Sequence, residues 1–256
     1  MNPVESTHAV LISRVAPGQW HALEDDLVVG RGEASRRPDG RMFVSIDAWH
    51  GAVFDRLAEA MLAQLPRPLH TVVDGIDHDT TARWERAGMA VRRREWLYEV
   101  PTGSRPDVVP PPAGVTLLPV GAGEEGPLRE AYSAIRAEIE ATVGWAAMPV
   151  EVPVQPAGAP MDPSRYAVAA GPDRYEGLVR VVARRRHARI GLVAVRADLR
   201  RRGIGRALLV DVLAALHRGG IDTASADIDE SNVAAMALFD GVGGRRVGSG
   251  LELVIR

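Results

Sequence analysis

Residues 190–217 read IGLVAVRADLRRRGIGRALLVDVLAALH. The β-branched apolar run Ile190 to Val195 breaks at Arg196-Ala197-Asp198. After an arginine-rich loop an amphipathic pattern restarts at Gly203, with Ile204, Leu208, Val212 and Leu216 on one face. The expected order is strand, loop, helix. Between strand and helix stands Arg200-Arg201-Arg202-Gly203-Ile204-Gly205-Arg206-Ala207. Gly203 and Gly205 let backbone N–H groups approach an anion with no Cβ in the way, at the positive end of a helix dipole. This is the chemistry of a phosphate cradle.

The loop lacks the Lys-Ser/Thr ending of a P-loop and the three-glycine spacing of a dinucleotide fingerprint. Val195, a short loop and then Arg200-x-x-Gly203-x-Gly205 resemble instead the pyrophosphate loop of the GNAT superfamily of acyl-coenzyme A transferases. The resemblance continues through a strand-like run, Thr223 to Asp229, then Glu230-Ser231-Asn232 opening a helix, then Gly243-Gly244 and a last strand, Val247 to Ile255. It covers Ile190 to Arg256 without a gap.

Composition bounds the alternatives. A chain of 256 residues with 46% hydrophobic content suits one large or two small domains with a real core. A net charge of −2 argues against a protein that coats nucleic acid or a membrane. There is no long apolar run and no basic leader followed by an apolar segment, so a cytoplasmic location is expected. With no Cys, disulfides, thiolate catalysis and Cys-based zinc sites are excluded, and no metal site is expected. All 31 basic residues are Arg, and Asn232 is the one Asn besides Asn2. Ser or Asp would cap a helix as well as Asn, so the amide itself is of interest there.

In chain order, His8 to Val15 reads as a strand, Gln19 to Val29 as a short helix carrying Asp25 and Asp26 on a solvated face, and Gly30 to Arg41 as a loop. Met42 to Ile46 is a strand, Val53 to Leu65 a helix, Leu69 to Asp74 a strand, Asp79 to Ala87 a helix ending at Gly88, and Val91 to Val100 a strand. This repeats the order from Ile190 to Arg256, with Gly88 set against Gly243. The chain therefore reads as α/β, two GNAT-like halves in tandem, each a twisted, mixed but mostly antiparallel sheet flanked by helices. In the N-terminal half Ile46-Asp47-Ala48-Trp49-His50-Gly51-Ala52 replaces the cradle, with one glycine and no arginine, so this half is expected to be degenerate. His50 beside Asp47 reads as a surface pair. The proline-rich stretch Pro101 to Ala113 marks the expected boundary: 1–104 as the N-terminal domain, 105–113 as linker and 114–256 as the C-terminal domain.

In the C-terminal half, Val115 to Leu118 is a short strand, Pro127 to Val143 a helix, Tyr166 to Ala170 and Tyr175 to Arg184 a hairpin. The Pro-rich segment Gly144 to Ser164 is either an acceptor lid or an ordinary surface loop. Arg92 to Arg94 and the basic turn Arg185-Arg186-His187-Ala188-Arg189 raise nucleic acid as a partner, but no aromatic platform for bases accompanies them, so no nucleic acid or membrane partner is expected.

The resemblance implies N-acetyl transfer from acetyl-coenzyme A to an amine of a small molecule or peptide. It implies that the backbone of Leu192, Val193, Ala194 and Val195 meets the pantetheine arm. Arg200, Arg201, Gly203, Ile204, Gly205, Arg206 and Ala207 would hold the pyrophosphate, and Asn232, Ala235 and Phe239 would complete the donor site. In some members a Glu sits five residues before the helix-opening Asn. That position is Asp227, either a base for the amine or an acid lining the sheet end, with Asp229 in reserve. Many members place a Tyr seven residues after the Asn to protonate the thiolate, and here that position is Phe239. Tyr132, Tyr166 or a water could substitute. The alternative is an acyl-coenzyme A sensor or partner-binding module that has lost transfer.

Overall fold

Gly18, at φ +74°, turns Leu11–Ala16 (β1) into Gln19–Glu24 (β2), and Asp25 and Asp26, at φ +48° and +63°, turn β2 into Leu27–Arg36 (β3). Short polar residues tolerate the left-handed region that such hairpin turns need. The expected helix over Gln19 to Val29 is thus two strands and a turn. Trp20 and Ala22 are buried at a spacing of two, the period of a strand. The computed structural model describes residues 10–37, 39–103, 110–145, 148 and 160–256.

The meander continues antiparallel into Met42–Ala48 (β4), followed by Gly51–Gln64 (α1), Leu69–Asp74 (β5) and His78–Arg86 (α2). The stretch expected to be a loop, Gly30 to Arg41, is largely β3, and its glycines serve packing. A Cβ on Gly30 would meet Val53 Cγ1 at 2.7 Å and Leu57 Cδ1 at 3.0 Å, and one on Gly32 would strike Met61. The missing side chains let α1 lie directly on the sheet. Among the described residues no helix stands between β1 and β2.

The second set comprises Thr116–Leu118 (β7), Glu125–Glu140 (α3), Tyr166–Ala170 (β8), Tyr175–Arg184 (β9), His187–Val195 (β10), Ile204–Arg218 (α4), Thr223–Asp229 (β11) and Val233–Asp240 (α5). Two long strands, Ala90–Pro101 (β6) and Arg245–Ile255 (β12), follow α2 and α5. Gly88 and Gly243 enter them at φ +94° and +84°, so the internal repeat extends to backbone conformation.

Two compact units result: Met1–Arg94 with Ser249–Arg256, and Glu95–Gly248. The division falls inside β6 and β12, and differs from the boundary expected in the proline-rich stretch, of which residues 104–109 lie outside the described residues. The physical reason is register. In the first unit the neighbour of β5 is the end of β12, running Gly250↔Asp74 to Ile255↔Leu69. In the second unit the neighbour of β11 is the end of β6, running Thr223↔Pro101 to Asp229↔Glu95. Leu251, Leu253 and Ile255 join Val53, Leu57, Met61 and Trp84 in the core of the first unit. Tyr98 and Val100 join Ile204, Leu208, Val212 and Phe239 in a core of the second. A separate cluster in the second unit packs α3 against Tyr166, Leu178 and Leu192. No helix among the described residues is long and apolar enough to cross a membrane.

Candidate active site

β10 and β11 run parallel but pair only at their start, His187↔Thr223 to Arg189↔Ser225. Beyond Arg189 they diverge. A bulge shifts the register of β10 between Ile190 and Leu192, after which Leu192, Val193, Ala194 and Val195 pair with Arg180, Val179, Leu178 and Gly177 of β9. The edge of those residues facing away from β9 has no β11 partner, so it offers strand N–H and C=O groups to an extended ligand. This is the stretch expected to meet a pantetheine arm.

The open splay leads to the start of α4. Gly203 caps the helix at φ +88° with no side-chain cap, and Arg201 precedes it at φ +60°. Nothing lies within 4 Å of where a Cβ on Gly203 would stand. Gly205 lies against Val195 and Val193, which ties the first helical turn to β10. The N–H groups of this turn, with Ile204 and Ala207 buried beneath, have no side-chain cap, the arrangement by which helix starts can accept an anion. The arginines divide the work. Arg200 Nε donates to the Val195 carbonyl at 3.3 Å, and Arg206 Nη2 donates to the Gly241 carbonyl at the end of α5, also at 3.3 Å.

Glu138 of α3, missed in the sequence, organises the β10–α4 connection. Its Oε2 accepts from the Ala197 backbone N–H at 2.8 Å, and its carboxylate lies 3.7 Å from Arg196 Nε and 4.0 Å from Arg200 Nη2. Nothing local marked it among the acids of that helix. Asp198 is held by Arg174, whose hydrogen bond keeps its carboxyl below the usual range.

Ala224, Ala226 and Ile228 point into the core with α4, so Ser225, Asp227 and Asp229 point to the opposite face. There Asp227 forms an ion pair with Arg189, which also donates to Ser225 Oγ at 3.2 Å, and His187 Nε2 lies 2.7 Å from the same hydroxyl. Asp229 Oδ1 accepts from the Ser231 N–H at 2.8 Å and its hydroxyl at 2.5 Å, shaping the turn into α5. Both base candidates therefore carry protein partners.

Asn232 caps α5, its Oδ1 accepting from the Ala235 N–H at 3.1 Å, which leaves the Nδ2 donors for another acceptor. Phe239 is 3% exposed and packs on the fully buried ring of Tyr98, centroids 5.8 Å apart. Tyr98 OH in turn accepts from Arg246 Nε at 2.8 Å. Tyr166 is buried beside Arg180, and burial pushes its phenol above the ordinary value. Of the expected lid, residues 146–147 and 149–159 lie outside the described residues.

The first unit repeats the splay but not the cradle. β4 and β5 pair only at Met42↔Leu69 and Phe43↔His70. At the start of α1 the space that a Cβ on Gly51 would take is filled by the guanidinium of Arg83, which also pairs with Asp55 at 3.2 Å. A cation of the protein's own stands where the second unit leaves room.

Residues 145–243 match the acetyltransferase (GNAT) family model. Among solved structures, a GCN5-related N-acetyltransferase from Sphaerobacter thermophilus is 17% identical, covering 95% of this chain and 82% of that one, with a TM-score of 0.68. A tandem GNAT protein from the clavulanic acid biosynthesis pathway is 15% identical over 93% of this chain and 82% of its own, with a TM-score of 0.64. A GCN5-related N-acetyltransferase from Kribbella flavida is 16% identical over 96% and 89%, with a TM-score of 0.60. No curated protein matches the chain. The chain carries a GNAT acetyltransferase domain, and its fold is that of the tandem GNAT proteins. The matched domain is that of an acetyltransferase family that moves acyl groups from coenzyme A.

Proposed function

We propose that this chain transfers an acetyl group from acetyl-coenzyme A to an amine, with the donor held in the second unit alone. The observation that carries the reading is the open edge of Leu192 to Val195 leading to an uncapped helix start at Gly203, room that Arg83 fills in the first unit. The strand edge would take the pantetheine amides, the first turn of α4 with Arg201 would take the pyrophosphate, and the Asn232 amide would donate to the arm.

An alkyl amine with a pKa of ~10 must lose a proton before it attacks. Its nitrogen lone pair then adds to the thioester carbonyl carbon, a C–N bond forms, the C–S bond breaks, and the coenzyme A thiolate takes up a proton. Asp227, directly or through water, is the proposed acceptor of the amine proton, with Asp229 in reserve. Phe239 supplies no proton, so the thiol is left to a water or to the Tyr166 phenol. A thiol of pKa ~8.5 leaves tolerably without full protonation, and loss of a general acid costs about 10²–10⁴ in rate.

The second reading, a coenzyme A sensor, draws on the burial of Phe239 at the expected acid position and on the protein partners of Asp227 and Asp229. Thiol release from acetyl-coenzyme A, followed across a panel of amines, separates the two. An acetyltransferase releases thiol with at least one amine class, whereas a sensor binds donor and releases none.

A further inference from the structure

Arg180 interrupts the apolar run Gly177-Leu178-Val179-Arg180-Val181-Val182 of β9, and it is only 9% exposed. In the sheet it stands opposite Leu192 of β10 and Tyr166 of β8. Leu178, two residues earlier, belongs to the cluster beneath α3, so Arg180 points to that same face, the one that Asp227 also shares. Its Nη1 lies 3.0 Å from where Gly191 would carry a Cβ. The guanidinium therefore lies over the bulge of β10, just beyond the last β10–β11 pair, Arg189↔Ser225, where the splay opens.

Among the described residues it has no counter-charge. Its side-chain partner is the neutral phenol of Tyr166, and among the described residues no carboxylate pairs with it. The acids of β11 on that face are engaged, Asp227 by Arg189 and Asp229 by Ser231. Burying a cation without an anion is costly, and a folded protein retains such a group where something completes it.

We infer that Arg180 receives a carboxylate of the acceptor, so that the substrate is an amine that also carries a carboxylate, an amino acid or an analogue of one. The planar guanidinium suits two parallel hydrogen bonds to a carboxylate, and its place over the bulge brings that group beside the strand edge proposed for the donor arm. The inference rests on the acetyl-transfer reading above.

The test compares matched acceptors, amino acids against their carboxamides and their decarboxylated amines, by kcat/KM in the parent protein and in Arg180→Met and Arg180→Lys. The parent is expected to favour the carboxylates by on the order of 10²-fold, the scale of an unpaired buried charge. The preference should collapse in Arg180→Met and fall partway in Arg180→Lys. Calorimetry of acetyl-coenzyme A with each variant reports the donor site separately. Melting temperature supplies the further readout: Arg180→Met, relieved of an uncompensated charge, should melt no lower than the parent, and the amino acids should raise the melting temperature of the parent but not of the variant. Equal turnover of acids and amides, a preference that survives in Arg180→Met, or a marked fall in that variant's melting temperature would overturn the inference while leaving acetyl transfer standing. Absence of donor binding in the parent would overturn the transfer reading instead.

Discussion

Gly205→Ala adds one methyl group to the first turn of α4, and its effects on folding and on donor binding should have opposite signs. Built on the backbone, the new Cβ lies 3.4 Å from Val195 Cγ2 and 3.9 Å from Val193 Cγ1, ordinary contact distances. Alanine is favoured over glycine in a helix by about 1 kcal/mol at most. The variant should therefore fold at least as well as the parent, with a melting temperature up to about 2–4 °C higher. The same methyl stands at the helix start, where the pyrophosphate must approach the backbone. Crowding a close-packed contact costs about 1–3 kcal/mol, which raises the Kd for acetyl-coenzyme A roughly 5–150-fold. Gly203→Ala is the control. No atom lies within 4 Å of its Cβ position, yet its φ of +88° makes any side chain unfavourable. That strain is worth about 1–2 kcal/mol, so this variant loses stability. Calorimetry and thermal melts of the three proteins measure both quantities, and Gly205→Glu, which adds negative charge, should bring binding below detection. A Gly205→Ala protein that folds normally and binds donor as tightly as the parent would refute the cradle. Two equivalent tight sites per chain would refute the assignment of the donor to one unit.

Asn232→Asp keeps the cap on Ala235 and removes the amide donor, so donor affinity should fall while the melting temperature hardly moves; an unchanged affinity reduces Asn232 to a cap. Asp227→Asn should lower turnover by ~10² or more at neutral pH with donor affinity intact, and the defect should shrink at high pH, where the free amine is abundant. A full-rate variant would move the proton transfer elsewhere. In the first unit Glu252, 3% exposed, is bonded by Arg41, Arg92, Arg93 and His70. Burial pushes its carboxyl up, but Arg93, Arg41 and Arg92 together hold it below its ordinary 4.5, while burial holds His70 below 6.5. In both cases the folded state binds protons less readily than the unfolded chain. The stabilisation is therefore present at neutral pH and drains away as pH falls, first below 6.5 through His70 and then below 4.5 through Glu252. Glu252→Gln should cost about 3–5 kcal/mol at neutral pH in urea denaturation, and a variant with the parent's midpoint and the parent's acid profile would show that the arginines do not depend on this carboxylate.

The second half of the chain was legible because its periodicities change where its chemistry does. A continuous apolar, β-branched run ends at Val195, an arginine- and glycine-rich stretch follows, and a period near 3.6 starts at Ile204, so strand, loop and helix announce themselves. The opening of the first half hid its strands for a local reason. Gly30 and Gly32 looked like loop punctuation, whereas they are positions where Val53, Leu57 and Met61 of α1 press on β3. Asp25 and Asp26 looked like a helix face because their left-handed backbone conformation has no signature beyond composition. The strand partners of β6 and β12 were out of reach for a different reason. Alternation fixes which residues of a strand are buried, but a strand's pairing partner is a long-range choice that no window of sequence contains.

The site shows the same limit. Sequence reading singled out as candidates the residues that carry glycine or a fixed spacing, Gly203, Gly205 and Asn232, because residue type and spacing can be read without knowing the fold. It passed over Arg180 and Glu138, whose importance lies in what surrounds them. Arg180 did leave a trace: a lone arginine inside the apolar run of β9 is an expense that packing alone does not justify. Arg83 shows the converse. The first unit's loss of the cradle was visible at Asp47 to Gly51, but only the structure shows that a guanidinium now stands against Gly51, tied to Asp55. A helix start that binds a pyrophosphate must be left open and uncapped until the ligand arrives. A helix start with no such ligand is free to be covered, and where a cation covers it at the positive end of a helix, Asp55, one turn into α1, supplies the opposite charge. The two units thus differ at one place: the start of α4 has no side-chain cap, whereas the space beside Gly51 at the start of α1 is filled by Arg83.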